Sequence, residues 1–334
     1  MTVTTHVALF VFVHVAALAA TGLAFMLLSW LNLFDRPNQR SSHVRPTLRG
    51  AGLMLTPVAV GAVGGIGLYG PDPPASAVAI AVLALALGLV SWLDDRRGLA
   101  VPVRLVAHAG AVAAALYVMR GNGAFFGGLL APELDLALAG LLWLWFVNLF
   151  NFMDGIDGIA GAETAVLGFG VAVVAALSGA GGGLSLIGTS FVAIATGFLW
   201  CNWPPAKVFL GDVGSIPLGY LLGWLLLLLA QQGLWAAALI LPLYYLTDAT
   251  LTLALRILRR EKFWQAHRQH FYQRAARGGM GHAGVSRAVL VAGMALVMCA
   301  AAAARGWTFS ALAAAVLVVA ILFRRFSRYT GRAW

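Results

Sequence analysis

Asn148–Gly161 reads NLFNFMDGIDGIAG and interrupts an otherwise apolar stretch, with Leu141–Val147 before it and a new apolar run from Ala160 after it. Asn148, Asn151, Asp154 and Asp157 recur every three residues, and the two Asp-Gly pairs mark a turn that breaks the helical pattern. Each unpaired carboxylate costs about 2.5–3.5 kcal/mol at the centre of a hydrocarbon core. The stretch therefore belongs at a membrane rim or in a cavity, where its polar residues bind something or satisfy one another. A capping cluster explains one or two of them. Four at fixed spacing, with two glycines, ask for more.

The surrounding chain sets the class. Of 334 residues, 61% are hydrophobic and only 10% charged, and apolar runs near 18 residues or longer recur along almost the whole length, as in polytopic helical membrane proteins. Eleven spans are expected, at residues 6–31, 51–70, 76–93, 102–119, 134–150, 159–178, 184–201, 214–231, 234–256, 286–304 and 307–323. With that count, all of the 22 Lys and Arg except Arg120 and Arg305 fall on one side. The positive-inside rule makes that side the cytoplasm, with the N-terminus outside and the C-terminus inside. The expected fold is an all-α membrane helix bundle forming one domain over residues 1–334, its first apolar run retained rather than cleaved. Cys201 and Cys299 read as small apolar filler, neither a disulfide nor a metal pair. The net charge of +10 suits cytoplasmic loops against lipid headgroups better than a nucleic-acid partner.

The same parity gathers the polar stretches on the cytoplasmic side. They are Asn32–Gly50, Asp94–Val101, Asn148–Gly161, Asn202–Ser215 and Ile257–Val285, loops one to five. Asp94 and Asp95 are adjacent carboxylates whose repulsion suits a proton acceptor or a cation site, though a solvated helix end paired with Arg96 and Arg97 explains them too. Asp212 lies between Gly211 and Gly214 just before an apolar helix, where free N–H groups attract phosphate and a carboxylate can share Mg²⁺ with it. The competing role for Asp212 is a helix cap. His267 and His270 stand among Arg268, Arg274 and aromatics, without the further ligands that zinc needs, and suit a cationic phosphate surface. In loop one, Ser42 and His43 sit among Arg36, Arg40, Arg45 and Arg49, a composition that also serves lipid headgroups. His6, His14 and His108 read as core histidines. His282 carries no separate signal, and Asp248 is an intramembrane carboxylate of weaker candidacy.

Five motifs in order, DRPNQRSSH, DDRRGL, NLFNFMDGIDGIAG, NWPPAKVFLGDVGS and HRQHFYQR, resemble the polyprenyl-phosphate N-acetylhexosamine-1-phosphate transferases of glycosyltransferase family 4. The likeness covers essentially the whole chain. HRQHFYQR, with RSSH in loop one, resembles the O-antigen-initiating branch rather than the phospho-MurNAc-pentapeptide translocase. Loop one departs from the family's glycine run, reading Arg49-Gly50-Ala51-Gly52.

The resemblance implies a Mg²⁺-dependent transfer, with Mn²⁺ as substitute, of a HexNAc-1-phosphate from a UDP-sugar to polyprenyl phosphate. UMP leaves, and a lipid-linked surface polysaccharide such as O-antigen begins. It implies Asp212 as metal ligand, and Asp94 and Asp95 as the pair of which one deprotonates the lipid phosphate. Asp154 and Asp157 would act near nucleotide or metal, and His267 and His270 near the diphosphate. Asn148, Asn151, Asn202, Gly211, Arg268, Arg274, Ser42 and His43 complete the expected substrate set. An inner-membrane location, a bilayer setting and a homodimer are implied as well. The alternative class is a secondary transporter of an anionic or nucleotide-sugar substrate, which predicts carboxylates near the midplane and an inverted repeat.

Overall fold

Long apolar segments have no water to satisfy their backbone in a bilayer, so they close their hydrogen bonds internally as helices. The computed structural model describes residues 2–37, 45–121, 123–262, 265 and 267–329. Its helices are α1 (Val3–Trp30), α2 (Gly52–Tyr69), α3 (Ala77–Arg97), α4 (Val101–Met119), α5 (Pro132–Phe152), α6 (Ile159–Ser178) and α7 (Gly182–Asn202). They continue with α8 (Asp212–Leu229), α9 (Trp235–Ile240), α10 (Leu243–Leu258), α11 (Phe271–Ala275), α12 (Gly281–Ala304) and α13 (Thr308–Ser327). Among the described residues, 10 helical stretches are long and apolar enough to cross a membrane. The chain is a multi-pass membrane protein.

The ninth expected span, 234–256, is not one helix. Pro242 has no N–H to donate and its ring clashes with the preceding turn, so the segment breaks into α9 and the 16-residue α10. The two pieces still carry the chain back across the bundle. At one end the Gln231 amide donates to Met119 O (3.3 Å) and Gly123 O (3.2 Å) beyond the close of α4, and the chain turns at Gly233. At the other end Asp248 of α10 meets the start of α11.

The axis of the bundle is α8, buried at every residue from Val213 to Leu229 and packed by α2, α3, α5, α6 and α9. A bilayer supplies no hydrophobic drive between helices, so close backbone approach by small residues does that work. Between α2 and α8 it is extreme: a Cβ on Gly52 would overlap the backbone of Gly214. Outward, α1 exposes Val7, Val11, Phe12 and Val15, an apolar face suited to lipid.

One feature was absent from the all-α expectation. Three short strands, β1 (Phe34–Asp35), β2 (Thr47–Arg49) and β3 (Val208–Phe209), form a small sheet. β1 runs antiparallel to β2, and β2 runs parallel to β3 with Leu48 opposite Val208 and Arg49 opposite Phe209. The sheet joins loop one to loop four by backbone.

Candidate active site

That strand pairing delivers Arg49 to the start of α8. Its Nη2 donates to Asp212 Oδ1 at 2.8 Å and lies 3.1 Å from Asp95 Oδ1, while Nη1 is 3.8 Å from Asp35 Oδ2. Two carboxylates from loops far apart in sequence thus share one guanidinium nitrogen. Asp95 Oδ2 also accepts from the Val213 N–H (3.1 Å) in the first turn of α8, where backbone donors and the helix dipole favour negative charge. Gly211 has φ +75°, and a Cβ there would press within 3.2 Å of Asp95 Oδ2 and of Gly50. Glycine is therefore a steric requirement at this corner.

The aspartate pair divides its labour. Asp94 points the other way, with Oδ1 accepting from the Leu99 N–H (2.6 Å) and Oδ2 paired with Arg104 Nη1 (3.1 Å). It braces the turn between α3 and α4, and Asp95 faces the shared cation.

The 148–161 stretch divides too. Asn148 and Asn151 end α5, and the loop 153–158 carries both aspartates. Asn148 Nδ2 donates to Leu144 O (2.7 Å), one turn back in its own helix. Asn151 Oδ1 accepts from Ser215 Oγ (3.0 Å), tying α5 to α8. Asp154 is half-buried; burial pushes its carboxyl up to about 8, with Asp212 and Asp157 adding and Arg49 opposing. Asp157 works as a clasp. Its Oδ2 accepts from the Ala206 N–H (3.0 Å), its Oδ1 lies 3.1 Å from His282 Nδ1, and its carbonyl accepts from Ser286 Oγ (2.8 Å). Asn202 completes the clasp, accepting from Gly158 N–H (2.9 Å) and donating to Val208 O (2.9 Å).

Loop five is anchored by Asp248, which is fully buried. Oδ1 accepts from Thr252 Oγ1 (3.2 Å) and the Phe271 N–H (3.1 Å), and meets His270 Nδ1 at 3.2 Å. Oδ2 accepts from Tyr244 Oη (2.9 Å) and the Tyr272 N–H (3.2 Å). The loop then closes on the end of α5, where Tyr272 Oη donates to Phe152 O (2.9 Å). His267 stacks on His270, ring centres 4.9 Å apart. Burial, then the charges of His270 and Arg256, push its pKa down to about 4. That direction favours the neutral ring at neutral pH. Arg268 and Arg274 are half-buried on the same loop, near enough to Arg277 for their charges to act on it. Ser42 and His43 lie outside the described residues.

The structure therefore gathers Asp95, Asp154, Asp212 and Gly211 around Arg49, and Asp157 with Asn202 behind them. Arg49 and His282 escaped the sequence reading as site residues. For His282 a signal existed: His282 and Ser286 stand four apart at the start of an apolar helix and so share a face.

The profile of glycosyl transferase family 4 matches residues 77–230, from the start of α3 past the end of α8. A probable undecaprenyl-phosphate N-acetylglucosaminyl 1-phosphate transferase of Bacillus subtilis (strain 168) is 30% identical over 259 residues, 74% of this chain and 71% of its own length. The chain belongs to glycosyl transferase family 4. Among other relatives of this family member, a phospho-N-acetylmuramoyl-pentapeptide-transferase of a Picosynechococcus species is 34% identical over 52% of the chain and 50% of its own length. A decaprenyl-phosphate N-acetylglucosaminephosphotransferase of Mycobacterium tuberculosis is 32% identical, over 61% of this chain and 55% of its own. The family profile takes in both aspartate pairs, Asn202 and Asp212, and leaves out Arg49 and loop five.

A family 4 site of this kind can be tested against a divalent metal. Among the described residues no group of three or more His, Cys, Asp or Glu encloses a metal position. Asp95 and Asp212 nonetheless converge on one cationic nitrogen. Two carboxylates that already share a cation are the donor set Mg²⁺ takes when phosphate and water supply the rest. The residues fit Mg²⁺ or Mn²⁺ brought in with a diphosphate, and do not fit a zinc cage.

Proposed function

We propose that this family 4 protein transfers a HexNAc-1-phosphate from a UDP-sugar to polyprenyl phosphate and releases UMP, with Mg²⁺ or Mn²⁺ as cofactor. The carrying observation is the convergence of Asp95 and Asp212 on one cation at the start of a wholly buried helix. A polar, carboxylate-lined rim above an apolar bundle suits a reaction between a water-soluble diphosphate and a lipid. Transport has weaker support, because the intramembrane carboxylate it would use, Asp248, is saturated by its own protein.

The transfer is an in-line displacement. A lipid phosphate oxygen forms a bond to the β-phosphorus, the bond from that phosphorus to the bridging oxygen breaks, and UMP leaves with the electron pair. Asp212 and Asp95 would hold the metal, which when bound neutralises diphosphate charge. Asp95, unlike Asp94, has its carboxylate turned to this centre, so of the pair it is the one placed to share the metal with Asp212. The N–H groups at the start of α8 attract phosphate oxygens. Asp248 engages His270 Nδ1, so Nε2 is the nitrogen left for substrate. Arg268 and Arg274 add positive charge where charge spreads in the transition state.

The rim faces the cytoplasm, since it carries nearly all of the Lys and Arg. The protein sits in a bacterial inner membrane, as the homodimer the resemblance implies, and starts an O-antigen-like polysaccharide.

The test is a membrane assay with polyprenyl phosphate, Mg²⁺ and a panel of labelled UDP-N-acetylhexosamines, following UMP and lipid-linked sugar phosphate together. Both products are expected from at least one donor, lost with EDTA and restored by Mn²⁺. No UMP from any donor, under conditions where a sibling enzyme turns over, would overturn the reading.

A further inference from the structure

Arg49 is placed by its backbone, and carboxylates hold its side chain. Arg49 N–H donates to Leu33 O (3.1 Å), Gly50 and Ala51 N–H both donate to Phe209 O (3.0 Å each), and Gly52 N–H donates to Leu210 O (2.9 Å). Main-chain bonds thus fix the residue on both sides. The side chain, 41% exposed, reaches across to Asp212, Asp95 and Asp35. Without it, two carboxylates with side chains only 16% and 17% exposed would face each other, and like charges so close repel.

The guanidinium therefore occupies the position toward which both carboxylates point. A divalent ion would need the same oxygens. A guanidinium and a divalent ion on the same two oxygens repel each other, so each weakens the other's hold. An incoming diphosphate changes the balance, since it offers the displaced guanidinium a bidentate anionic partner.

We propose that Arg49 is the resident counter-cation of the metal-free site: it occupies Asp95 and Asp212 until a divalent metal takes them, and then turns onto the diphosphate. Rigid backbone and long side chain make the exchange a swing about side-chain bonds. Metal alone is held weakly, metal with nucleotide strongly, and each raises the affinity of the other. The inference rests on the metal-dependent reading above.

The experiment measures Mn²⁺ binding to the full chain in detergent by the paramagnetic signal of free Mn²⁺, with and without UDP. For Arg49→Gln, Mn²⁺ alone is expected to bind about tenfold more tightly than to wild type, and UDP to add less than it adds to wild type. Melting of the metal-free variant should fall, and Mn²⁺ should restore it by more than it raises wild type. If Arg49→Gln does not fold, Arg49→Met keeps an unbranched side chain without the charge, and its Mn²⁺ affinity should exceed that of wild type. Equal or weaker Mn²⁺ binding in the folded variant, with UDP-enhanced binding intact, overturns the Arg49 role and leaves the metal reading standing. If no protein binds Mn²⁺ even with UDP, both are overturned.

Discussion

Asp248 and Asp212 are both carboxylates of apolar helices, and they are used in opposite ways. Asp248 lies inside the bundle, and hydroxyls, backbone N–H groups and a histidine surround both of its oxygens. Asp212 stands at the rim, where the guanidinium of an exposed arginine reaches it. Burying a charge costs several kcal/mol unless it is hydrogen-bonded and paired, so the deep carboxylate is tied up in architecture. The shallow one can afford to be shared. Depth thus separates the carboxylate that builds loop five from those that meet substrate.

The sharpest way to break this comparison is to neutralise the rim carboxylates. Asp212→Asn should lower turnover about 10³-fold with little change in melting temperature, the scale seen when one preorganised electrostatic group is lost. Asp95→Asn should cost about 10²-fold, and Asp94→Asn, which loosens only the turn into α4, within about tenfold. Initial-rate assays on folded, detergent-purified protein decide this, and equal losses at Asp94 and Asp95 would deny the division between them.

The deep carboxylate should fail in the other way. Asp248→Ala strands buried donors and should destabilise the fold by about 3–5 kcal/mol. Thermal melting monitors that loss. A variant that melts like wild type but has lost turnover would make Asp248 part of the chemistry.

The mildest contrast is one of pH. The Asp154 carboxyl, raised from 3.8 to about 8 chiefly by burial, keeps its proton in the folded chain over an interval in which the unfolded chain has lost it. Stability of the metal-free protein should therefore fall as pH rises from 3.8 to about 8. Asp154→Asn should flatten that slope, and Mn²⁺ should reduce it by favouring the ionised form. Melting curves across the interval test this, and a slope unchanged in Asp154→Asn would place the titration elsewhere.

What the sequence made legible was periodic or compositional. Span lengths, Lys and Arg asymmetry and the Asp-Gly turn placed the polar stretches on one rim before any contact was known. What it hid depends on partners distant in the chain. Arg49 looked like one more basic residue of loop one, since nothing local reveals a parallel strand pairing with residues near 208. Asp248 looked like an intramembrane site candidate, because among its partners are backbone N–H groups, which every residue but proline carries. The twin aspartates read as one motif, yet neighbouring helical side chains point about 100° apart, and that angle separates brace from site. Pro242 carried a local signal for a break, and the expected span of 234–256 ran through it.

The little sheet between loops one and four has one more implication. Neighbouring positions on a strand point to opposite faces, so sliding β2 by a single position against β3 would present Leu48 to the carboxylates in place of Arg49. The ruler that sets charge against charge is thus made of peptide groups and indifferent to side-chain identity. Val208 and Phe209 can therefore change in side chain without moving the register, whereas an added or deleted residue in loop four would misalign the whole centre.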